Sequence, residues 1–284
     1  MKCSDAGTAG SRFRMVFADI DGTLVDGSGV LSARTLRAVN ALRMADCRLV
    51  LCTGRGRQPA QNVADQIDCS GYGIVLNGAV VLEWESGKIL RRSLLPAQTV
   101  ESACAIARTE NLAAVWLGAE DRTDALYVEN GTPLWPHYEA RNRSRLKYVE
   151  TLASVPEAPA SLAAYGSEEQ AVRLAREWQR SLGPDVTAVA GPTAVYHAWY
   201  AQLTTSEADK GIAAAFLAGH FGIPREQTLA IGDHVNDIGL LRWSGMGISM
   251  ADGHPDARSA SDYITGSFAE DGAASALERF VLGN

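Results

Sequence analysis

Residues 15–25 read MVFADIDGTLV. The apolar run Met15-Val16-Phe17-Ala18 stops abruptly at Asp19. A short apolar run of this kind suggests a strand buried on both faces, as strands of parallel sheets are. Two similar runs follow. RLVLC ends at Thr53-Gly54-Arg55, and GIVL ends at Asn77-Gly78. Ser32 stands where a helix N-cap belongs, ahead of Leu36, Val39 and Leu42 on one side of the helix. Strand, helix, strand, helix, strand at this spacing predicts a parallel sheet with crossover helices.

The texture changes near residue 83 and changes back after 205. Glu83 to Arg92 reads as a hairpin turning at Ser86-Gly87. Helical periodicity follows near 96–109 and 167–182, where Ala171, Leu174, Ala175, Trp178 and Leu182 share a face. Between and after these lie strand-like pieces, AAVWL, ALYVE, SLAAY, VTAVA and AVYHAWYAQLT, predicting a largely antiparallel sheet. Beyond 205 a helix is expected from Lys210, with Ile212, Phe216 and Leu217 on its apolar face. QTLAIGD is a strand ending at Asp233. Ile238, Leu241 and Trp243 mark a short helix and MGISM a strand. Leu277, Phe280 and Val281 lie on a last helix. The expected organisation is a tail at 1–12, a core in two pieces at 13–82 and 205–284, and a smaller α/β unit inserted at 83–204.

The chain has 284 residues, enough for a core without staples, and its 46% hydrophobic and 21% charged residues exclude bulk disorder. Five cysteines, at 3, 47, 52, 69 and 104, are odd in number and form no C-x-x-C. They predict reduced thiols in a cytoplasmic protein rather than a disulfide frame or zinc site. The N-terminus lacks a signal-like apolar region, and no apolar run nears the roughly 20 residues of a membrane span. The net charge of −7 disfavours nucleic acid as a partner. Only four of the 26 basic residues are lysines: Lys2, Lys88, Lys147 and Lys210.

In an open parallel sheet, ligands bind beyond the carboxyl ends of the strands. Four such ends carry polar residues: Asp19-x-Asp21-Gly22-Thr23, Thr53-Gly54-Arg55, Asn77-Gly78 and Gly232-Asp233-x-x-Asn236-Asp237. Asp-Gly-Thr is also ordinary turn chemistry. Paired carboxylates just past a buried strand nevertheless repel one another, and a hard divalent cation offsets that repulsion. Asp19, Asp21, Asp233 and Asp237 are the candidate magnesium ligands. Asp19, first after the strand, is the candidate nucleophile toward phosphorus, and Asp21 the candidate general acid and base. Gly22 and Thr23 offer backbone N–H groups to phosphoryl oxygens. Thr53 offers a hydroxyl and an amide, and Gly54 permits close approach. Arg55, Asn77 and Asn236 are further candidates for holding the substrate. Lys210 opens a helix, where a cation works against the dipole, so a local anion is expected there. Asp237 holds either metal-bound water or Lys210. His234 is more readily structural than catalytic.

These motifs resemble the haloacid dehalogenase-like superfamily of aspartate-nucleophile phosphotransferases. DIDGTLV (19–25), LCTGR (51–55), the Lys210 region and IGDHVNDIGLL (231–241) are similar to its four motifs, in order. The spacing resembles the Cof-type magnesium-dependent phosphatases, in which a cap is inserted between the second and third motifs. LNGA (76–79) and EDG (270–272) are similar too. The resemblance implies a Rossmann-like parallel-sheet core with an inserted α/β cap. It implies a phosphatase of small phosphorylated metabolites, sugar phosphates foremost, working through an aspartyl-phosphate on Asp19. It further implies Mg2+ held by Asp19, the Asp21 carbonyl oxygen and Asp233, with Thr53 and Lys210 on the phosphoryl group. His234 and the Asp-Gly of GISMADG (247–253) depart from the pattern. A phosphomutase or an idle binding protein on the same fold are the alternatives. No membrane partner is expected, and the chain is expected as a monomer or weak homodimer.

In the inserted unit, LWPHYEARNRSRLKY (134–148) offers Trp135, His137, Tyr138, Arg141, Arg143 and Arg145, chemistry suited to sugar faces and anions. A solvated basic segment with packing aromatics is the favoured account of these residues. Alternation in AVYHAWYAQLT puts Tyr196 and Tyr200 on the opposite face from His197 and Trp199.

Overall fold

The computed structural model describes residues 12–26, 29–69, 71–118 and 125–283. The tail expected at 1–12 lies, except for Arg12, outside them. The chain forms two sheets. The larger contains β1 (Met15–Ala18), β2 (Arg48–Cys52), β3 (Tyr72–Val75), β4 (Val80–Glu83) and β5 (Ile89–Arg92). The smaller contains β6 (Val115–Leu117), β7 (Leu126–Glu129), β8 (Leu146–Val149), β9 (Ser161–Gly166), β10 (Val186–Thr193) and β11 (Ala198–Thr205). The chain then returns to the larger sheet with β12 (Thr228–Gly232), β13 (Met246–Ser249) and β14 (Tyr263–Ile264). The order of the larger sheet is β14-β13-β12-β1-β2-β3-β4-β5, parallel as far as β3. The smaller sheet runs β10-β11-β9-β6-β7-β8 and is antiparallel apart from β7–β8.

β1 and β12 are buried at every position. Alternation divides the neighbouring strands between two cores. Val16, Ala18, Leu51, Leu229 and Ile231 pack on the side of α1 (Ala33–Met44) and α2 (Arg57–Gln66). Met15, Phe17, Val50, Cys52 and Ala230 face the other way. In the smaller sheet, α3 (Ala97–Thr109) and α5 (Glu168–Leu182) cover one face over a core of Leu162, Ala164, Trp178, Ala201 and Leu203. The opposite face carries a smaller cluster in which Tyr138, on α4 (Pro136–Asn142), stacks on Tyr165. Within the 134–148 segment, Tyr138 is therefore a packing residue.

Three details differ from the sequence pattern. The hairpin at 83–92 stays in the larger sheet as β4 and β5, so the change of texture at 83 precedes the change of sheet, which comes after Arg92. AVYHAWYAQLT is not one strand. Its first residues form a turn, His197 takes a left-handed φ of 48°, and β11 begins at Ala198. Finally, α6 (Lys210–His220) turns Lys210, Ala213, Ala214, Leu217 and Ala218 inward and leaves Ile212 and Phe216 partly exposed, at 46% and 37%. The inward face is made of small residues because α6 packs tightly on α7 (Ile238–Trp243). A Cβ added at Gly211 would lie 2.4 Å from the Gly239 carbonyl oxygen.

β3 sets the position of the segment that follows it, and its own seat is tight. A Cβ at Gly73 would meet the Trp84 ring at 2.0 Å. Gly73→Ala should therefore destabilise the fold by about 1–3 kcal/mol through overpacking. Urea denaturation of the two proteins measures this directly.

Candidate active site

The carboxyl ends of β12, β1, β2 and β3 lie side by side, so the four polar segments converge. The Asp19 N–H donates to the Ile231 carbonyl (2.9 Å), which fixes the first residue past β1. Lys210 Nζ donates to Asp19 Oδ1 and to Asp237 Oδ1, each at 2.6 Å. Lys210 and Asp237 are completely buried and Asp19 is 5% exposed. The second oxygen of Asp237 accepts the N–H groups of Asp233 and His234, both at 3.0 Å. Asp237 thus orients Lys210 and closes its own turn.

Ligand atoms of Asp19, Asp233 and Asp237 all lie within 4.8 Å of one another. Thr23 donates its hydroxyl to Asp233 Oδ1 at 3.0 Å. Gly22, at φ 77°, passes so close to this carboxylate that a Cβ would stand 2.6 Å from Asp233 Oδ2. Burial, with the neighbouring carboxylates of Asp237, Asp233 and Asp21, raises Asp19 well above the ordinary carboxylate range, and Lys210 pulls it back in part. Burial and Asp237 push Asp233 up to about 6. Burial alone would lower Lys210, but Asp19 and Asp237 raise it and keep it an ammonium. Burial lowers His234.

Asp21 faces outward, its side chain 55% exposed, and is clasped by Arg55. Arg55 Nε donates to Asp21 Oδ2 at 2.8 Å and Nη2 to Oδ1 at 2.6 Å. Arg55 thus meets the candidate acid/base. Thr53 is fully buried, and its N–H is spent on the Ile74 carbonyl (2.8 Å), so it has no amide to offer a ligand. Its hydroxyl oxygen accepts the Arg55 N–H at 3.1 Å, leaving the hydroxyl proton to donate. Gly54 makes room for a protein group: a Cβ there would be 2.9 Å from Asn77 Oδ1. Asn77 is engaged at both ends of its amide, accepting from Asn236 Nδ2 (2.8 Å) and donating to Gln202 Oε1 (2.7 Å). Asn236 Oδ1 is buried and without a hydrogen-bond partner.

Sequence reasoning missed Gln202, an amide in a strand with no local signal. It also missed Asp209, whose carboxylate caps α6 by accepting the Ile212 N–H (2.9 Å). Its position just before the expected helix was the available signal. Tyr200 lies two positions before Gln202 on the same face of β11. Burial holds its phenol above the usual range, with Lys210, Asp19 and Asp21 close enough to act on it.

Four carboxylates, those of Asp19, Asp21, Asp233 and Asp237, face the two cations Lys210 and Arg55. The donors are hard oxygens with a formal excess of two negative charges, a set suited to one divalent cation. Without its ammonium the cluster should be costly. Lys210→Met should destabilise the protein by about 3–5 kcal/mol, the range for a buried pair that loses one partner. The loss should be larger at pH 8 than at pH 5, because protonation relieves the stranded carboxylates. Thermal melts of both proteins at the two pH values check it.

The model of the haloacid dehalogenase-like hydrolase family matches residues 16–277. A putative phosphatase of Bacillus subtilis, YxeH, is 23% identical over 95% of this chain and 99% of its own length. The 5-amino-6-(5-phospho-D-ribitylamino)uracil phosphatase YcsE of the same organism is 22% identical over 95% of this chain and 96% of its own. Among solved structures, a haloacid dehalogenase-like hydrolase from Bacteroides thetaiotaomicron superposes with a TM-score of 0.78 at 24% identity, covering 94% of this chain and 99% of that one. The HAD subclass IIB sugar phosphatase BT4131 superposes at 0.75 with 22% identity, covering 94% and 98%. No helix among the described residues is long and apolar enough to cross a membrane. With a family match across nearly the whole chain and the four motif segments gathered at one sheet edge, this protein is an enzyme belonging to the haloacid dehalogenase-like hydrolases.

Proposed function

We propose that this phosphatase hydrolyses small phosphorylated metabolites, sugar phosphates foremost, in a magnesium-dependent reaction through an aspartyl-phosphate on Asp19. The observation that carries this reading is the buried Lys210 ammonium bridging Asp19 and Asp237 beside the outward Asp21. Lys210 fixes the Asp19 carboxylate at the sheet edge, where one of its oxygens forms the new bond to phosphorus. The bond from phosphorus to the leaving oxygen breaks on the opposite side, and Asp21 supplies the proton that oxygen needs. A water molecule then attacks phosphorus while Asp21 takes its proton, and the Asp19 carboxylate is restored with release of inorganic phosphate. Thr53 has a hydroxyl proton available for a phosphoryl oxygen. Arg55 occupies both carboxylate oxygens of Asp21, so Asp21 reaches the leaving oxygen only when this clasp opens as substrate enters.

Asp19 and Asp233, with the Asp21 carbonyl oxygen, are the groups that would hold Mg2+. Asp237 is instead committed to Lys210 and two N–H groups. When bound, the ion supplies positive charge that lets an anionic ester approach an acidic cluster. The sugar-phosphate reading draws support from BT4131, named a sugar phosphatase, and from YcsE, named for a phosphorylated ribityl compound. Tyr200, whose phenol lies near enough to feel Lys210, Asp19 and Asp21, suits a hydroxylated leaving group.

With MgCl2 present, the protein should hydrolyse p-nitrophenyl phosphate and should release inorganic phosphate, not an isomer, from sugar 1-phosphates. Asp19→Asn should lower kcat by about 10⁴-fold or more while the circular dichroism spectrum is kept. Near-normal turnover by that variant would refute the nucleophile assignment. Metal binding should also be visible in stability. Asp19 and Asp233 are held above the ordinary carboxylate value, so the metal-free fold has its full contribution from them below that value, 3.8. It loses this contribution as pH rises, through about 6 for Asp233 and likewise through the raised range of Asp19. Magnesium should therefore raise Tm more at pH 8 than at pH 5. An equal shift at both values, or none, would count against these ligands.

A further inference from the structure

We propose that Asn77 is a positioning residue, the hub of a one-directional amide chain that ties the Asp233–Asp237 turn to the smaller sheet. The chain runs from Asn236 to Asn77 to Gln202 to Ser161. Asn236 Nδ2 donates to Asn77 Oδ1 at 2.8 Å, Asn77 Nδ2 to Gln202 Oε1 at 2.7 Å, and Gln202 Nε2 to Ser161 Oγ at 3.1 Å. Each of the two middle amides accepts at oxygen and donates at nitrogen, so neither has its bonding capacity opposed. Gln202 and Ser161 are buried, at 6% and 0% exposure. Such bonds are stronger away from water, and breaking one strands a buried polar group.

The backbone under Asn77 is held with equal care. Its N–H donates to the Thr53 carbonyl (3.0 Å), and the Leu76 N–H to the Arg55 carbonyl (2.9 Å). Leu76, Asn77 and Gly78 take φ values of 50°, 55° and 96°, three left-handed residues in a row. Leucine in this region is uncommon, and such a conformation persists only where its surroundings over-determine it. Two glycines clear the space. A Cβ at Gly54 would press on Asn77 Oδ1, and one at Gly78 would lie 2.4 Å from the Asp209 carbonyl carbon and oxygen, at the start of α6. Asn77 therefore meets the Thr53 loop through its backbone, the Asp233–Asp237 turn through its side-chain oxygen, and β11 through its side-chain nitrogen.

The coupling follows from what Asn236 adjoins. The next residue, Asp237, grips Lys210 and the N–H groups of Asp233 and His234. A displacement of Gln202 is thus passed to the groups that set the nucleophile. The kinetic consequence rests on the phosphatase reading, whereas the structural consequence does not.

The test uses Gln202→Met, which keeps length but removes both hydrogen-bonding ends, together with Asn77→Ala and the double variant. Hydrogen exchange of the full chain should show reduced protection of residues 233–237 in each single variant and no further loss in the double. With p-nitrophenyl phosphate and MgCl2, each single variant should lose about tenfold in kcat with KM little changed, the scale expected for a coupling of this kind. The double variant should be no worse, and inhibition by inorganic phosphate should stay as in the wild type. Unchanged protection in Gln202→Met overturns the proposal. So do multiplicative losses in the double variant, since independent sites add. Weakened phosphate inhibition in Asn77→Ala alone makes Asn77 a substrate contact and overturns it too. If Asn77→Ala does not fold, Asn77→Asp takes its place, because it keeps the acceptor for Asn236 and lacks the donor for Gln202. If the wild type turns over no phosphate ester, the phosphatase reading fails and the exchange measurement alone decides the amide chain.

Discussion

One buried ammonium sets the geometry on which everything else depends. Lys210 lies between Asp19 and Asp237, 2.6 Å from each, with all three side chains out of water. Removing such charges from solvent costs several kcal/mol per ion and is repaid only when each finds partners. Here the partners come from three separate parts of the chain: the end of β1, the first turn of α6 and the turn after β12. No one of these can move without stranding a charge. The same demand explains the small residues on α6. Bringing the ammonium to the sheet edge presses α6 against α7, with Gly211 beside Gly239 and no room for a Cβ at either.

This pairing does not neutralise the site. Lys210 offsets only one of its two carboxylates, Arg55 turns its fork to Asp21 and its Nη1 to the Pro59 carbonyl, and Asp233 has no cation of its own among these, so two negative charges remain in excess. Burial first, and that excess after it, hold Asp19 and Asp233 above the ordinary carboxylate range. A phosphate ester meets repulsion here unless a hard cation is present, so the net charge of −7 over the whole chain says little about substrate. What matters is that the local imbalance equals the charge of one divalent ion.

The parts of this arrangement legible in the sequence were those fixed by local pattern. Strands buried on both faces show as apolar runs, and their polar ends mark the site. Lys210 stands out because lysine is rare in this chain and disfavoured at a helix start. The illegible parts depend on contacts between distant segments. Nothing near Ile212 or Phe216 tells that α6 will bury alanines instead, because that choice belongs to Gly239, 27 residues past Ile212. The amide of Thr53 is lost to Ile74 on the neighbouring strand, and that of Asn77 to Gln202 and Asn236. A change of composition at residue 83 marks a hairpin, whereas the change of sheet needs the pairing of β4 with β5 to be known.

The two faces of β11 have different surroundings because its side chains alternate. Trp199, Ala201 and Leu203 pack toward α3 and α5, where their volume is constrained by Trp178 and its neighbours. Tyr200 and Gln202 lie on the other face, where Gln202 bonds to Asn77 and Ser161, and they contribute nothing to that core. Loss of Gln202 would therefore spare that core but strand the groups it bonds. Position is guaranteed from below. β11 ends at Thr205, whose hydroxyl bonds to that of Ser93 on the outgoing connection, and α6 begins only five residues later with Lys210 itself. The strand that carries Gln202 is thus fastened close in sequence to Lys210. β11 thereby ties the smaller sheet to the larger one twice, through Gln202 to Asn77 and through Thr205 to Ser93.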